Sequence, residues 1–354
     1  MTGCRGAHNK RAHTIRTALG INSLPDGARC YQAAIHIMTT TDMTSDAIHA
    51  LGLKEIARIE EEMTTIAKKQ GFADLVSFRA SLKTNPKYRA TSSDQILDDF
   101  RKYIAQMATK LPELFTVIPG KPVSVEAIPA FQPAMSTYAV AGTPDGSRPG
   151  RVLVQTSDPT HRMLINDEAI AYHEGIPGHI FQGSVASAQT GLPKFRVIYS
   201  NSAYGEGWGL YAEQLGKEVG FYQDPVSDYG RLSSELFRAV RLVVDTGLHS
   251  KDWTRDQAVA FFRKEDCVDE PVIQAEVDRY IASPAQALSY KLGQLKFREL
   301  RARAQAELGP KFDVRTFHDE MLNGGRLPPE MLDARTNSWI AAQKSAKTTA
   351  VVSP

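Results

Sequence analysis

Hydrophobic residues recur at helical spacing along most of this chain and lose that period only in one stretch before its middle. After Thr44, a good capping residue, Ile48, Leu51, Ile56, Ile59, Met63 and Ile66 return every three to five positions, with Glu60, Glu61 and Glu62 off that face. That pattern predicts a helix with one buried stripe. A second helix is expected over about 73–82. A third is expected over about 93–111, through Ile96, Leu97, Phe100, Ile104 and Met107. From 114 to 150 the period fails: Pro119, Pro122, Pro129, Pro133, Pro144 and Pro149 punctuate β-branched and aromatic residues, a pattern of short strands and turns. The run 151–156, behind the turn-rich PDGSRPG, is the best strand. Helical spacing then returns and persists to about Leu308. The expected fold is mainly α, with a small β region. One helical domain is expected over 41–340, a loosely ordered segment over 1–40 and a disordered tail over 341–354.

A chain of 354 residues is long enough for a sizeable core. Its 42 basic and 40 acidic residues leave a net charge of +2, which argues against a dedicated nucleic-acid surface. No stretch reaches the roughly 18 apolar residues of a membrane span. Cys4, Cys30 and Cys267 form no CxxC pair, so neither a disulfide framework nor a thiolate metal site is expected. The basic residues Arg5, Lys10, Arg11 and Arg16 have no apolar segment behind them, so residues 1–16 do not resemble a signal peptide; by default that suggests the cytoplasm.

The chemistry concentrates around AYHEGIPGH. Asn166 is a candidate cap for a helix that carries Asp167 and Glu168 in its first turn. That helix leads into His173 and Glu174. In an H-E-x-x-H zinc site two histidines one turn apart share a helix face, and the glutamate between them is the general base. Here the second histidine, His179, lies six positions on, and Pro177 stands where the usual ligand would be. Six residues of straight helix turn a side chain by about 240°, off the first histidine's face. Pro177 and Gly178 must therefore break the helix for both to meet one metal; otherwise the segment is a helix end with one packed and one surface histidine. A third ligand is available in YGEGWGLYAE. Glu206 and Glu213 are seven apart and share a face, Glu206 lies between two glycines that permit close approach, and Tyr204 opens the segment as a candidate substrate contact. Both acids could equally solvate a surface.

Further on, a helix over about 229–249 has Leu232, Leu236, Val240, Val243 and Leu248 on one side and Arg231, Arg238, Arg241, Asp245 and His249 on the other. His249, at its end, is a candidate oxyanion donor. Tyr290 is a second candidate donor, although most tyrosines are packing residues.

HEGIPGHIFQ, EGWGLYAEQLG, YGRLSSELFRAVRLVVDTGLHSKDWTRDQA and PAQALSYKLGQLKFREL, in this order, resemble successive blocks of a bacterial family, domain of unknown function 885. TTTDMTSDAIHALGLKEIARIEEEM and PDGSRPG resemble it too, so the likeness runs over about 38–335. That family is generally grouped with gluzincin-type zinc metallopeptidases. The resemblance implies a helical zincin-like domain with His173, His179 and Glu206 as Zn2+ ligands and Glu174 as general base. Arg241, Asp245, His249 and Tyr290 fall at family-typical polar positions, with Glu213 and Asp245 as supports behind the ligands.

Two departures stand out. Relatives often carry a second histidine after the one matching His179, where this chain has Ile180. They are also usually longer, with a helical region ahead of the part seen here and often an export signal, so this chain resembles the later part of that architecture. The expected activity is zinc-dependent hydrolysis of a peptide or small amide, with Glu174 activating water, His249 or Tyr290 holding the oxyanion and Arg238 or Arg241 recognising a carboxylate. The strand at 151–156 would pair with an extended substrate. Alternatives are a non-peptide amide or ester substrate, or an inactive helical scaffold.

Overall fold

The structure is a computed structural model and describes residues 18–132, 136–143, 145–193, 195–196 and 199–345. Four helices come first: α1 (Gly27–Thr39), α2 (Ser45–Lys69), α3 (Leu75–Thr84) and α4 (Ser93–Leu114). A small sheet follows, of β1 (Val123–Ala127), β2 (Tyr138–Val140) and β3 (Gly150–Val154). The rest is helical: α5 (Asp167–Glu174), α6 (His179–Ala188), α7 (Ser202–Glu218), α8 (Pro225–Ser250), α9 (Arg255–Glu265), α10 (Glu270–Ala282), α11 (Leu288–Leu308), α12 (Val314–Leu322) and α13 (Pro329–Ser345). The fold is mainly α with a three-stranded sheet, as the hydrophobic period requires.

Local signals place the early helices. Thr44 caps α2, its Oγ1 accepting from the Ala47 N–H at 3.2 Å, and Asp74 caps α3 by accepting from Ser77. The expected cap at Asn166 is not made: its side chain bonds no backbone N–H of α5, and its Oδ1 is buried without a partner. Residues 21–39, expected to be loosely ordered, form a 3-10 turn and α1. α1 buries Tyr31, Ile35 and Thr39, a stripe one residue wide per turn, and packs on α8 and α11. Residues 1–17 and 346–354 lie outside the described residues.

α8 is the axle of the molecule, packed by α1, α2, α5, α7, α9, α10 and α11. Its polar side is therefore largely interior. Arg231, Glu235, Arg241, Asp245 and His249 are each no more than 5 % exposed. Burial of charge on this scale is tolerated only with partners. Arg231 pairs with Asp228 at 2.8 Å, Glu235 with Lys291 at 2.6 Å and Arg241 with Glu276 at 3.0 Å.

In the sheet, β3 runs parallel to β1 and antiparallel to β2, in the order β1-β3-β2. The strand expected at 151–156 is thus the central one, ending at Val154 with both edges paired, and cannot accept a substrate strand. Among the described strands, β1 and β2 are the edge strands, each paired with β3 alone. Behind β3, Ile180 packs on Gly150, where an added Cβ would come within 2.5 Å of the isoleucine side chain.

A buried histidine gives the fold a pH dependence. His318, on α12, is 0 % exposed; its Nδ1 donates to the Leu114 carbonyl at 2.9 Å and its Nε2 accepts from the Tyr211 hydroxyl at 2.9 Å. Burial pushes its pKa down to about 3. An unfolded histidine titrates near 6.5, so below that pH the unfolded chain binds a proton that the native chain refuses. Stability should fall as pH drops through 6.5, by about 2 kcal/mol at pH 5 from this residue alone. Urea unfolding of wild type and His318→Gln at pH 7 and pH 5 measures it: the variant should lose less on acidification, and equal losses would remove His318 as the cause.

Candidate metal and active site

The break between the two histidines is the feature on which the site depends. α5 ends at Glu174 and α6 begins at His179, with Gly175, Ile176, Pro177 and Gly178 forming the corner and a cis Ile176–Pro177 bond within it. The Gly178 N–H returns to the Tyr172 carbonyl at 3.0 Å and the Trp208 indole N–H donates to the Pro177 carbonyl at 2.8 Å. A side chain at Gly178 could not fit, since its Cβ would lie 1.9 Å from the His173 carbonyl oxygen. The corner turns His179 back toward His173, and the imidazole centroids stand 4.8 Å apart, edge to face.

α7 supplies the acids. Glu206 Oε2 lies 3.9 Å from His173 Nε2 and 3.4 Å from His179 Nε2, so one carboxylate oxygen sits between the two imidazoles. Two turns along α7, Glu213 Oε1 lies 2.7 Å from His173 Nδ1, on the far side of the same ring. Glu213 and His173 are 1 % and 2 % exposed. At Gly209 an added Cβ would come within 2.7 Å of His173 Nε2, so the ring fits only against a bare backbone. Gly207 serves helix packing instead: its missing side chain lets α7 approach Gly293 of α11, while Gly205 faces open space.

The electrostatics follow from crowding three carboxylates around two imidazoles. Burial alone would lower the His173 pKa, but the nearby Glu206 carboxylate, the hydrogen bond with Glu213 and the charge of Glu174 raise it to about 9. Burial would raise that of Glu206, yet the two imidazoles hold it well below the usual carboxylate range. Glu174 moves the other way: burial pushes it up, against the opposing pull of His173 and His179.

His173, Glu174, His179 and Glu206 line a cleft of about 790 Å³ that also reaches β2, α8, α10 and Tyr290. Tyr290 packs under Arg241, whose guanidinium carbon is 4.2 Å from the ring centroid, and its hydroxyl bonds to no described residue. Arg238 and Arg241 line the same wall.

Three expected site residues lie elsewhere in role. His249 does not line the cleft. Its Nδ1 accepts from the Ile21 N–H at 3.1 Å and its Nε2 donates to the Tyr280 carbonyl at 3.0 Å, so both nitrogens are spent on backbone. Asp245 accepts from the Tyr31 hydroxyl at 2.6 Å and the Ala285 N–H at 3.0 Å, which fixes α1 and the approach to α11 rather than any ligand of the site. Tyr204 borders the cleft but is 2 % exposed, and its hydroxyl donates to the Met321 carbonyl at 3.1 Å. The sequence reading missed Phe237, Glu276 and Arg279 in the cleft wall. Glu276 and Arg279, three apart on a helix, carry the pattern of an ordinary surface pair.

The chain superposes on the crystal structure of a candidate lipoprotein from Colwellia psychrerythraea with a TM-score of 0.89 and 36 % identity, covering 95 % of this chain and 59 % of that one. A candidate lipoprotein of unknown function from Shewanella oneidensis shares the fold, with a TM-score of 0.79 and 20 % identity over 95 % of this chain and 63 % of that one. This chain thus spans about six tenths of the length of these solved relatives. No match to a curated protein is found. Among the described residues no helix is long and apolar enough to cross a membrane. Residues 5–335 match the family described as bacterial protein of unknown function (DUF885), and the chain belongs to that family.

Proposed function

We propose that this chain carries the catalytic centre of a zinc-dependent peptide hydrolase of gluzincin type. The observation that carries the reading is the convergence of His173 Nε2 and His179 Nε2 on one oxygen of Glu206, with Glu213 behind His173. Zinc bonds to imidazole and carboxylate run about 2.0–2.2 Å, so neighbouring ligand atoms of a tetrahedral site stand roughly 3.3–3.5 Å apart. The observed 3.4 and 3.9 Å need little adjustment. A carboxylate on the outer nitrogen of a ligating histidine fixes its tautomer and strengthens it as a donor, the role Glu213 fits.

Zinc held by His173, His179 and Glu206 would supply Lewis acidity, polarising a scissile carbonyl and making water acidic enough to attack near neutral pH. Glu174 takes the proton from the attacking water and passes it to the leaving nitrogen, a task suited to a carboxyl whose pKa is raised by burial. Of the two expected oxyanion donors, Tyr290 takes the role: its hydroxyl is uncommitted and it lines the cleft, whereas both nitrogens of His249 bond to backbone. β2 supports a peptide as the substrate: Tyr138 and Ala139 border the cleft, and the strand is paired on one side only. The description of the Colwellia relative as a candidate lipoprotein favours peptides outside the cytoplasm.

Elemental analysis of the purified chain tests the assignment. About one zinc per chain is expected, retained through gel filtration and lost in His173→Ala and in Glu206→Ala. A chain that stays free of zinc after reconstitution would overturn the proposal.

A further inference from the structure

We infer that Arg238 anchors a substrate carboxylate, so that the cleft selects peptides presenting a free carboxylate near the scissile bond. The bond-cleaving part of this inference rests on the hydrolase reading above; the binding part rests on the arginine geometry alone.

Arg238 is tethered at one end only. Its Nη1 donates to the Ser234 carbonyl at 3.3 Å and to the Ser234 hydroxyl at 2.6 Å, one turn back on α8. The opposite edge of the guanidinium, Nε with Nη2, is uncommitted: Nε is buried without a partner, and Nη2 bonds to no described residue. The N–H groups of that edge are parallel, the fork that a planar carboxylate fills in bidentate fashion; because Nε has no exposed surface, the guanidinium must swing toward the cleft to offer both. Among the described residues no acid stands within ion-pair distance of Arg238, although its charge acts on Glu174. An unpaired guanidinium thus lines the same cleft as the general base.

The surrounding wall deepens the charge imbalance. Arg241 is 4 % exposed and lies between the rings of Phe237 and Tyr290, 4.2 Å from each centroid. Its Nη1 is buried without a partner, and Nη2 shares Glu276 with Arg279, at 3.0 and 2.8 Å. Three guanidiniums on this wall face one carboxylate, so the wall holds an excess of two positive charges. The opposite side of the cleft carries Glu174 and Glu206 and repels an anion. A ligand with one neutral amide and one carboxylate is therefore oriented, its amide toward His173 and His179 and its carboxylate toward Arg238. The carboxylate could be a peptide's C-terminus or an acidic side chain; the chemistry at Arg238 is the same.

The test uses three probes with the zinc-loaded chain: an N-acetyl dipeptide with a free C-terminus, its C-terminal amide, and an amidated peptide containing glutamate. Binding is read by calorimetry on wild type, Arg238→Gln and Arg238→Lys, with zinc content and urea midpoint as folding controls. At least one carboxylate probe should bind wild type about ten- to a hundredfold more tightly than the neutral amide. Arg238→Gln should reduce that probe to the level of the amide while zinc is retained, and Arg238→Lys should restore part of the difference. Preference for the free C-terminus identifies a terminal carboxylate, and preference for the glutamate peptide an acidic side chain; either supports the site. Equal binding of acid and amide by wild type, or equal weakening of both in Arg238→Gln, overturns it. Peptide cleavage without carboxylate preference would refute this inference and leave the hydrolase reading standing. Arg238-dependent acid binding without zinc or turnover would do the reverse.

Discussion

Glu174→Gln should lower the rate of peptide hydrolysis by about 10³-fold while leaving one zinc per chain in place. Glutamine keeps the size and polarity of the side chain but cannot take a proton from water, and general acid–base catalysis contributes roughly 10²–10⁴ in rate. The variant also decides between two ligand sets. His173, Glu174 and His179 offer donor atoms that lie within 4.8 Å of one another, so Glu174 could itself be counted as a ligand. Glu206 is the better choice. Consecutive helix residues diverge by about 100°, so His173 and Glu174 approach a common point from different sides. Glu206 comes from another helix and sits between both imidazoles. If Glu174 is the base, Glu174→Gln keeps zinc and loses turnover, whereas Glu206→Ala loses both. Loss of zinc in Glu174→Gln would refute the assignment of roles, and full activity with zinc retained would refute the mechanism.

The parts of this site legible in the sequence are those whose logic is local. Six-residue spacing between His173 and His179, with Pro177 and Gly178 between, required a broken helix, and the structure breaks it there. Glu206 and Glu213, seven apart, had to share a face, and both meet His173, on opposite edges of its ring. The misreadings share a different cause. α8 carries a polar stripe, and a stripe says nothing about what covers it. The partners of Asp245 and Arg241, namely Tyr31 and Glu276, are far away in sequence and converge only when α1 and α10 dock. His249 failed for the same reason, since its position at a helix end gave no sign that Ile21 and Tyr280 would occupy it. The strand at 151–156 was recognisable as a strand, but its place between β1 and β2 is a property of topology that no single segment encodes.

The second large effect is expected far from the chemistry, at Lys291. Its side chain is 0 % exposed, and its Nζ reaches Glu55 at 2.9 Å, Glu235 at 2.6 Å and Gln294 at 2.8 Å, using all three donors. Arg58 closes the network on both acids, at 2.9 Å from Glu55 and 2.5 Å from Glu235. Burial would raise the pKa of Glu235, but Lys291 and Arg58 hold it at about 2, so both acids are ionised at neutral pH. Lys291→Met preserves length and packing and removes the charge that separates two buried carboxylates. Breaking one member out of a buried network costs about 3–5 kcal/mol, and the lower end is expected here because Arg58 still pairs with both carboxylates. Replacing lysine and acid together should cost less than the sum, so a Lys291→Met/Glu235→Gln double variant should recover part of the loss. Urea unfolding of the single and double variants measures both. A single variant within about 1 kcal/mol of wild type would mean that water or relaxation already screens the network. The network joins α2, α8 and α11, and the last two present Arg238, Arg241 and Tyr290 to the cleft, with Lys291 directly following Tyr290. Lys291→Met should therefore weaken carboxylate binding below its unfolding transition, while the proposed zinc site, built on α5, α6 and α7, should keep its metal. A variant that unfolds more readily but binds the acid probe as wild type does would show that the cleft wall is set by α10 instead.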